Sequence, residues 1–148
     1  MLAEMKRLVR AKNMCVLATI AGDRPHCSLM AYSSNEECTE IYMATQGSTK
    51  KFRNLSGNPA VSLMIDSRDE VSRSQDWALT VEGTCVRIDD DARKQVAKSR
   101  LMAIHPQLCD FLAYLDTGDA MYFDSTVPHS YRRIGRTACS ALIVLVPA

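Results

Sequence analysis

Residues 14–33 read MCVLATIAGDRPHCSLMAYS, two apolar stretches on either side of a turn sequence. In the turn, Gly22 can take a positive φ without steric cost, and Pro25 has no N–H to donate to a neighbouring strand. Residues 14–20 and 26–33 therefore predict two antiparallel strands joined as a hairpin.

The other predicted elements surround this hairpin. Runs of β-branched and aromatic residues predict further strands at 40–45, 60–65, 77–88, 121–123 and 141–146. Apolar spacing and capping residues predict helices at 3–13, at 49–56, after residues 89–91 to about 104, and at 106–115. The pattern predicts a mainly β (α+β) fold, an antiparallel sheet that closes or nearly closes with flanking helices, as a single domain over residues 1–148.

Composition excludes several functional classes. The chain has 148 residues, 47% of them apolar, and a net charge of +1. A nucleic-acid-binding protein would carry a basic surface that this balance lacks. The apolar fraction excludes a disordered chain, and the apolar runs are shorter than the ~20 residues that span a bilayer. We therefore expect neither a nucleic-acid partner nor a membrane partner.

The cysteines indicate the compartment. Six are present, an even number that allows three disulfides, but a chain with this large an apolar fraction does not need them. Cys15 and Cys85 lie in apolar strand-like runs, where a thiol behaves as a small hydrophobe. The prediction is free buried thiols in a reducing, cytoplasmic compartment. The three histidines lack metal-ligand spacing, so no metal site is expected.

The N-terminus allows two interpretations. Four basic residues precede the apolar residues 14–21, as in a secretory signal. However, Leu2, Met5 and Val9 already follow helical spacing within the basic stretch. An amphipathic helix that leads into the first strand explains the same residues, and is the interpretation preferred here.

A candidate binding site lies in residues 45–55, which read TQGSTKKFRNL. A predicted strand ends, a glycine and several hydroxyls follow, and a helix begins with two lysines. The N–H groups and dipole of a helix N-terminus favour an anion, to which the hydroxyls and lysines could add donors and charge. A capped, solvated helix start fits the same residues equally well. The spacing is not that of a P-loop.

The remaining polar groups indicate no chemistry of their own. His26 could decorate a strand start, Tyr32 could be a core aromatic, and the arginines 132, 133 and 136 could form a solvated face or a second anion site. The sequence offers no Ser-His-Asp order and no paired carboxylates, so catalytic residues stay unassigned. This pattern is typical of a protein whose reactive group is a bound cofactor.

Several short motifs occur in a characteristic order. They are VLATI at 16–20, GDRPH at 22–26, SLM at 28–30, TKKFRNL at 49–55 and NPAVSL at 58–63. In these motifs the chain resembles the pyridoxamine 5'-phosphate oxidase-like, FMN-binding split-barrel family, over residues 1 to about 90. The resemblance implies a six-stranded split barrel with flanking helices. It also implies a homodimer with one FMN at each of two sites between the subunits.

The resemblance also implies individual site residues. The strand segment Ser28, Leu29, Met30, Ala31 and Ser33 would lie along the ribityl chain and the ring edge of FMN, mostly through backbone groups. Lys50 and Lys51 match the family's basic pair that binds the phosphate, and Thr45 matches a position whose side chain or backbone meets it. Ser48 and Thr49 are the hydroxyls that the candidate site itself offers as further donors.

Departures from the family pattern limit what the resemblance implies. Ser28 and Ser33 stand where the founding oxidases carry basic residues, and an Arg-x-His substrate motif is missing near the C-terminus. Pyridoxamine phosphate oxidase activity itself is therefore not supported. The expected function is an FMN-dependent oxidoreductase that acts on an unidentified small molecule. The alternatives are a non-catalytic FMN redox carrier or sensor, and a split barrel that binds haem or a deazaflavin.

Overall fold

The fold is seen in a computed structural model, which describes residues 2–68, 78–109, 112, 120–124, 129–134 and 142–144. Its helices are α1 (Leu2–Ala11), α2 (Lys50–Gly57) and α3 (Asp91–Ile104), with a 3₁₀ turn at Pro106–Leu108. Its strands are β1 (Met14–Ala21), β2 (Arg24–Ser34), β3 (Glu40–Ala44), β4 (Ala60–Asp66), β5 (Ala78–Arg87), β6 (Ala120–Asp124), β7 (His129–Ile134) and β8 (Leu142–Val144).

The β1–β2 hairpin forms as the turn sequence predicts. Met14 pairs with Ala31, and the register continues to Ala21 opposite Arg24, so the turn has only two residues. Gly22 occupies its first position with φ +60°, which is the conformation a type II′ hairpin requires of a glycine. The turn is shorter than the sequence suggests, because Pro25 already belongs to β2.

The strands form one curled antiparallel sheet. Its neighbours run in the order β4-β1-β2-β3-β6-β5-β7-β8, and β4 also pairs with β5. The pairings of the first six strands thus form a ring, in the order β1-β2-β3-β6-β5-β4. The predicted mainly β fold, with an antiparallel sheet and helices against it, is confirmed at this level.

Strand β5 has three neighbours in the sheet. One edge pairs with β4 along Ala78–Thr84. The other edge pairs first with β7, at Ala78 to Val81, and then with β6, at Thr84 to Arg87. The sheet therefore divides at β5, where β7 and β8 leave the ring.

Two apolar clusters hold the helices against the sheet. The larger lies between the strands and α1, and includes Leu17, Leu63 and Val81. The smaller packs α3 on the sheet, through Tyr42, Ile88 and Leu101. Burial along β1 alternates from Cys15 onward, as expected of a strand with one face in the core.

Three sequence-based expectations need correction. Strand β7 falls in a stretch for which the sequence predicted no element. The helix predicted from residue 106 to 115 begins as the 3₁₀ turn Pro106–Leu108; beyond it, Cys109 and Leu112 are helical as predicted, and the other residues of this stretch lie outside the described ones. Of the five described cysteines, all free as predicted, Cys27 and Cys109 are exposed rather than buried. Within the described part of the chain, none of the helices is long and apolar enough to cross a membrane.

Candidate functional site

A chain of hydrogen bonds organises the start of α2. Lys51 Nζ donates to Thr45 Oγ1 at 3.3 Å, and Thr45 Oγ1 lies 3.1 Å from Thr49 Oγ1. Thr49 donates its own proton to the Gln46 carbonyl at 2.8 Å, so the proton between the two threonines belongs to Thr45. Thr49 is also the N-cap of α2, since it accepts from the Phe52 N–H at 3.3 Å. The network therefore fixes the position of Lys51.

This network changes the expected role of the two threonines. Both hydroxyl protons are used inside the loop, and Thr45 is buried. The groups still available to contact an anion are the lysine ammonium groups and the N–H groups of the first helical turn, which lack acceptors within a helix. Lys51 is half-buried and held, whereas Lys50 is exposed, so the two lysines are not equivalent. Ser48 is exposed beside them.

A third cation lies at the same end of the helix. Arg53 Nη1 donates to the Ser48 carbonyl at 2.8 Å, which places its guanidinium against the loop before α2. The prediction from sequence omitted Arg53, although it lies four residues after Thr49, which is close to one helical turn.

The charge at the start of α2 is opposite to what a helix normally favours. A helix N-terminus is stabilised by acidic residues and destabilised by basic ones. Helix α3 follows this rule, with Asp90 as its N-cap and Asp91 in its first turn. Helix α2 has Lys50 and Lys51 in its first turn and no acidic residue there. A bound anion would offset this unfavourable arrangement.

The residues predicted on β2 divide between two faces. Met30 is buried in the larger core cluster, so its side chain is unavailable to a ligand and only its backbone can contribute. On the other face, Leu29 is 70% exposed, Ala31 is half-buried and Ser33 is buried. Leu29 and Ala31 thus present an accessible apolar surface.

A buried polar chain links α2 to the hairpin. Asn54 Nδ2 donates to Thr19 Oγ1 at 3.0 Å, and Thr19 Oγ1 donates to the His26 carbonyl at 3.3 Å. Thr19 and His26 are cross-strand partners, and His26 Nε2 lies 3.3 Å from Ser28 Oγ. Sequence reasoning did not find Asn54 or Thr19, because their contact joins residues far apart in the chain.

Tyr32 lies on β2 between Ala31 and Ser33 and is buried. The Tyr32 hydroxyl donates to the Val9 carbonyl at 2.8 Å, and burial raises the pKa of this tyrosine far above its usual range. Tyr32 is therefore a core residue rather than a catalytic proton donor. In the part of the chain that the structure describes, no cluster of His, Cys, Asp and Glu could hold a metal.

A family comparison agrees with the motifs. The family model described as "Pyridoxamine 5'-phosphate oxidase" matches residues 1–131. This chain therefore belongs to the pyridoxamine 5'-phosphate oxidase family.

A curated relative matches a smaller part of the chain. A pyridoxamine 5'-phosphate oxidase homolog of Schizosaccharomyces pombe is 33% identical over an aligned length of 73 residues, and the alignment covers 43% of this chain. The match spans only 37% of that relative's length.

Solved structures share the fold at low identity. A haem-binding protein from Mycobacterium smegmatis superposes with a TM-score of 0.77 and 19% identity, over 95% of this chain and 57% of that one. An FAD-binding protein from Mesorhizobium loti gives a TM-score of 0.69 and 15% identity, over 90% of this chain and 94% of that one. The fold is thus shared by proteins described as binding flavin and by proteins described as binding haem.

Proposed function

We propose that this chain is an FMN-dependent oxidoreductase that holds the cofactor phosphate at the N-terminus of α2. The observation that carries the proposal is the pair Lys50 and Lys51 in a first helical turn that has no acidic residue. No Asp or Glu occurs anywhere in residues 45–59. This concentration of positive charge suits a doubly negative phosphate monoester.

The donors at this site fit such a phosphate. Lys51 Nζ is already held by Thr45, so little side-chain freedom is lost on binding. Lys50 and Arg53 are exposed and supply further positive charge near the same helix end. Each charge-assisted hydrogen bond contributes about 1.5–3 kcal/mol. Ser28 and Ser33 add no charge from β2, so the positive charge that binds the phosphate comes from α2 and its preceding loop.

The flavin ring would lie against β2, where backbone groups of residues 28–33 offer hydrogen bonds and the accessible side chains of Leu29 and Ala31 offer an apolar surface. We propose that a second copy of the chain completes the site. In support, Leu29 pairs with Val16, and Val16 pairs with Met64, so an apolar row crosses three strands on one face. Leu29 is the most exposed large apolar residue of the row, and Met64 is also exposed. Covering such a row is a common basis of subunit association.

Bound FMN would supply hydride or electron transfer. The chain's own residues bind the phosphate, orient the ring and exclude water from one of its faces. We propose no side chain as a general acid or base, and the proposed substrate class is a small molecule. Pyridoxamine phosphate oxidase activity is not part of the proposal, given the serines at positions 28 and 33.

We further propose that the curled sheet is the family's six-stranded split barrel, as a single domain of a cytoplasmic protein. The free cysteines support a reducing compartment.

Two other functions remain as alternatives. A redox carrier or sensor would bind FMN in the same way but need a protein partner rather than a nicotinamide. The second alternative is a split barrel that binds haem or a deazaflavin, and the haem-binding protein that shares this fold supports haem.

The absorbance spectrum of the purified protein, followed by heat release of its chromophore, tests the proposal. A flavin spectrum and released FMN are expected. A Soret band would favour haem, and a protein that neither contains FMN nor binds it on titration would overturn the proposal. Anaerobic mixing with NADH or NADPH then separates the oxidoreductase, whose flavin is bleached, from the carrier.

A further inference from the structure

The chain of hydrogen bonds from Asn54 through Thr19 to the His26 carbonyl occupies a buried position between α2 and the β1–β2 hairpin. Asn54 is 6% exposed and Thr19 is 3% exposed. Buried polar side chains are costly unless they are satisfied. Here Thr19 accepts from Asn54 and donates to His26, so its hydroxyl serves as both acceptor and donor.

The position of Asn54 on α2 connects these hydrogen bonds to the lysines. Lys50 and Lys51 precede Asn54 by four and three residues, so all three lie on one side of the helix. The contact of Asn54 with Thr19, together with the packing of Leu55 and Phe52 in the core, therefore sets how far α2 is rotated about its axis, and with it the direction in which the lysines leave the helix. A rigid eight-residue helix transmits a rotation at Asn54 directly to its first turn.

The other end of this series of hydrogen bonds lies on β2. The His26 carbonyl is the acceptor, and the His26 imidazole lies 3.3 Å from the Ser28 hydroxyl, at the start of the segment assigned to the flavin. The buried chain thus joins the helix assigned to the phosphate with the strand assigned to the ring.

We propose that Asn54 and Thr19 are positioning residues that set the distance and angle between the phosphate site on α2 and the flavin strand β2. This inference rests on the proposed function. Neither residue touches the cofactor in this proposal. Their effect is to let one FMN molecule engage both ends of the site at once, so that the phosphate adds to the affinity already provided by the ring.

The test compares FMN with riboflavin, which carries the same ring and ribityl chain but no phosphate. The measured quantity is the ratio of the two dissociation constants, from quenching of flavin fluorescence, for the wild-type protein, Thr19→Val and Asn54→Leu. The advantage of FMN over riboflavin is expected to fall about tenfold in both variants, while riboflavin affinity changes less than about threefold. Combining the two substitutions should cost no more than either alone, since each one breaks the same chain.

Two controls separate positioning from stability. Ser56→Ala removes a hydroxyl from the exposed side of the same helix, where it bonds to the Phe52 carbonyl, and should leave the ratio unchanged. Thr19→Ser keeps the hydroxyl and should restore the ratio even if it lowers the unfolding temperature. If Asn54→Leu does not fold, the comparison of Thr19→Val with Thr19→Ser carries the test.

The outcomes are distinguishable. A wild-type protein that binds FMN, with variants that unfold at lower temperature but keep the wild-type ratio, would show a structural role only and overturn this inference alone. A wild-type protein that binds neither flavin would overturn the proposed function and this inference with it.

Discussion

Lys51 Nζ lies 3.3 Å from Thr45 Oγ1, so the second of two adjacent lysines is anchored to the end of β3 while the first, Lys50, is exposed. A held ammonium loses less freedom on binding an anion than a mobile one. The two lysines should therefore contribute unequally to the proposed phosphate site.

Lys51→Ala is expected to weaken FMN binding by about 10- to 100-fold, because it removes a preorganised charge-assisted bond. Lys50→Ala should weaken it less, and riboflavin affinity should change little in either variant. Fluorescence titration at fixed ionic strength measures these effects. Arg7→Ala, which removes an exposed charge on α1, serves as the control. Equal losses for both lysines would contradict the anchoring role of Thr45.

Leu29→Arg is expected to abolish the proposed dimer. The side chain is 70% exposed, and a charge there would have to be buried against the second copy. Light scattering should give twice the chain mass of 16.5 kDa for the wild-type protein and a single chain mass for the variant. FMN affinity should fall with the dimer.

Val96→Arg is the matched control for the dimer, since Val96 is an exposed apolar residue on α3, away from the row on β1, β2 and β4. A wild-type protein that scatters as a single chain, or a Leu29→Arg variant that remains dimeric, would refute the proposed interface.

The buried cysteines predict a loss of stability in alkali. Burial raises the pKa of Cys15 and of Cys85 to about 12. In the unfolded chain a thiol titrates near pH ~8.5. The folded state therefore holds protons that the unfolded state has lost, and the stability they contribute is complete below that pH and is lost as pH rises toward 12.

Urea unfolding across pH 8 to 10.5 measures this effect, and the free energy of unfolding should fall by up to about 1.4 kcal/mol per pH unit for each thiol. Replacing Cys85 with alanine should reduce the slope, whereas replacing the exposed Cys27 should not. Consistent with this, a thiol reagent at pH 8 should modify Cys27 and Cys109 in the native protein, and Cys15 and Cys85 only after unfolding. Rapid native modification of Cys15 would contradict the buried position.

His105, at the C-terminal end of α3, is hydrogen-bonded to β2. Its ring is 1% exposed, and Nε2 donates to the Tyr32 carbonyl at 3.0 Å, which fixes the proton on that nitrogen. His105→Ala leaves a cavity and a buried carbonyl without its donor, and should lower the free energy of unfolding by about 2–4 kcal/mol. Urea denaturation tests this, with Gln95→Ala, an exposed position on α3, as control. A loss below about 0.5 kcal/mol would show that the bond is unimportant.

The parts of the fold that could be predicted from sequence depend on local chemistry. The hairpin follows from Gly22 and the apolar stretches around it, and α2 follows from Thr49 and the spacing of Phe52 and Leu55. Strand β7 escaped prediction because its sequence, HSYRRI, has only two hydrophobic residues. Its strand conformation comes from pairing with β5, which lies far away in the sequence.

The candidate site likewise has one part that follows from local sequence and another that depends on residues far apart in the chain. The loop and the lysines were found because they are contiguous in the sequence. The bond between Asn54 and Thr19 joins residues 35 positions apart, and no local pattern reports it. Arg53 is the exception, since a third cation beside the two lysines was visible in the sequence.

The division of the sheet at β5 has a consequence for how the protein is made. Both partners on its second edge, β6 and β7, are synthesised after it. As the nascent chain leaves the ribosome, that edge of β5 stays open until residue 134 has emerged, and an open edge invites pairing with other chains. Expression at low temperature, or with chaperones that shield nascent strands, should therefore raise the soluble yield more than substitutions in the hairpin would.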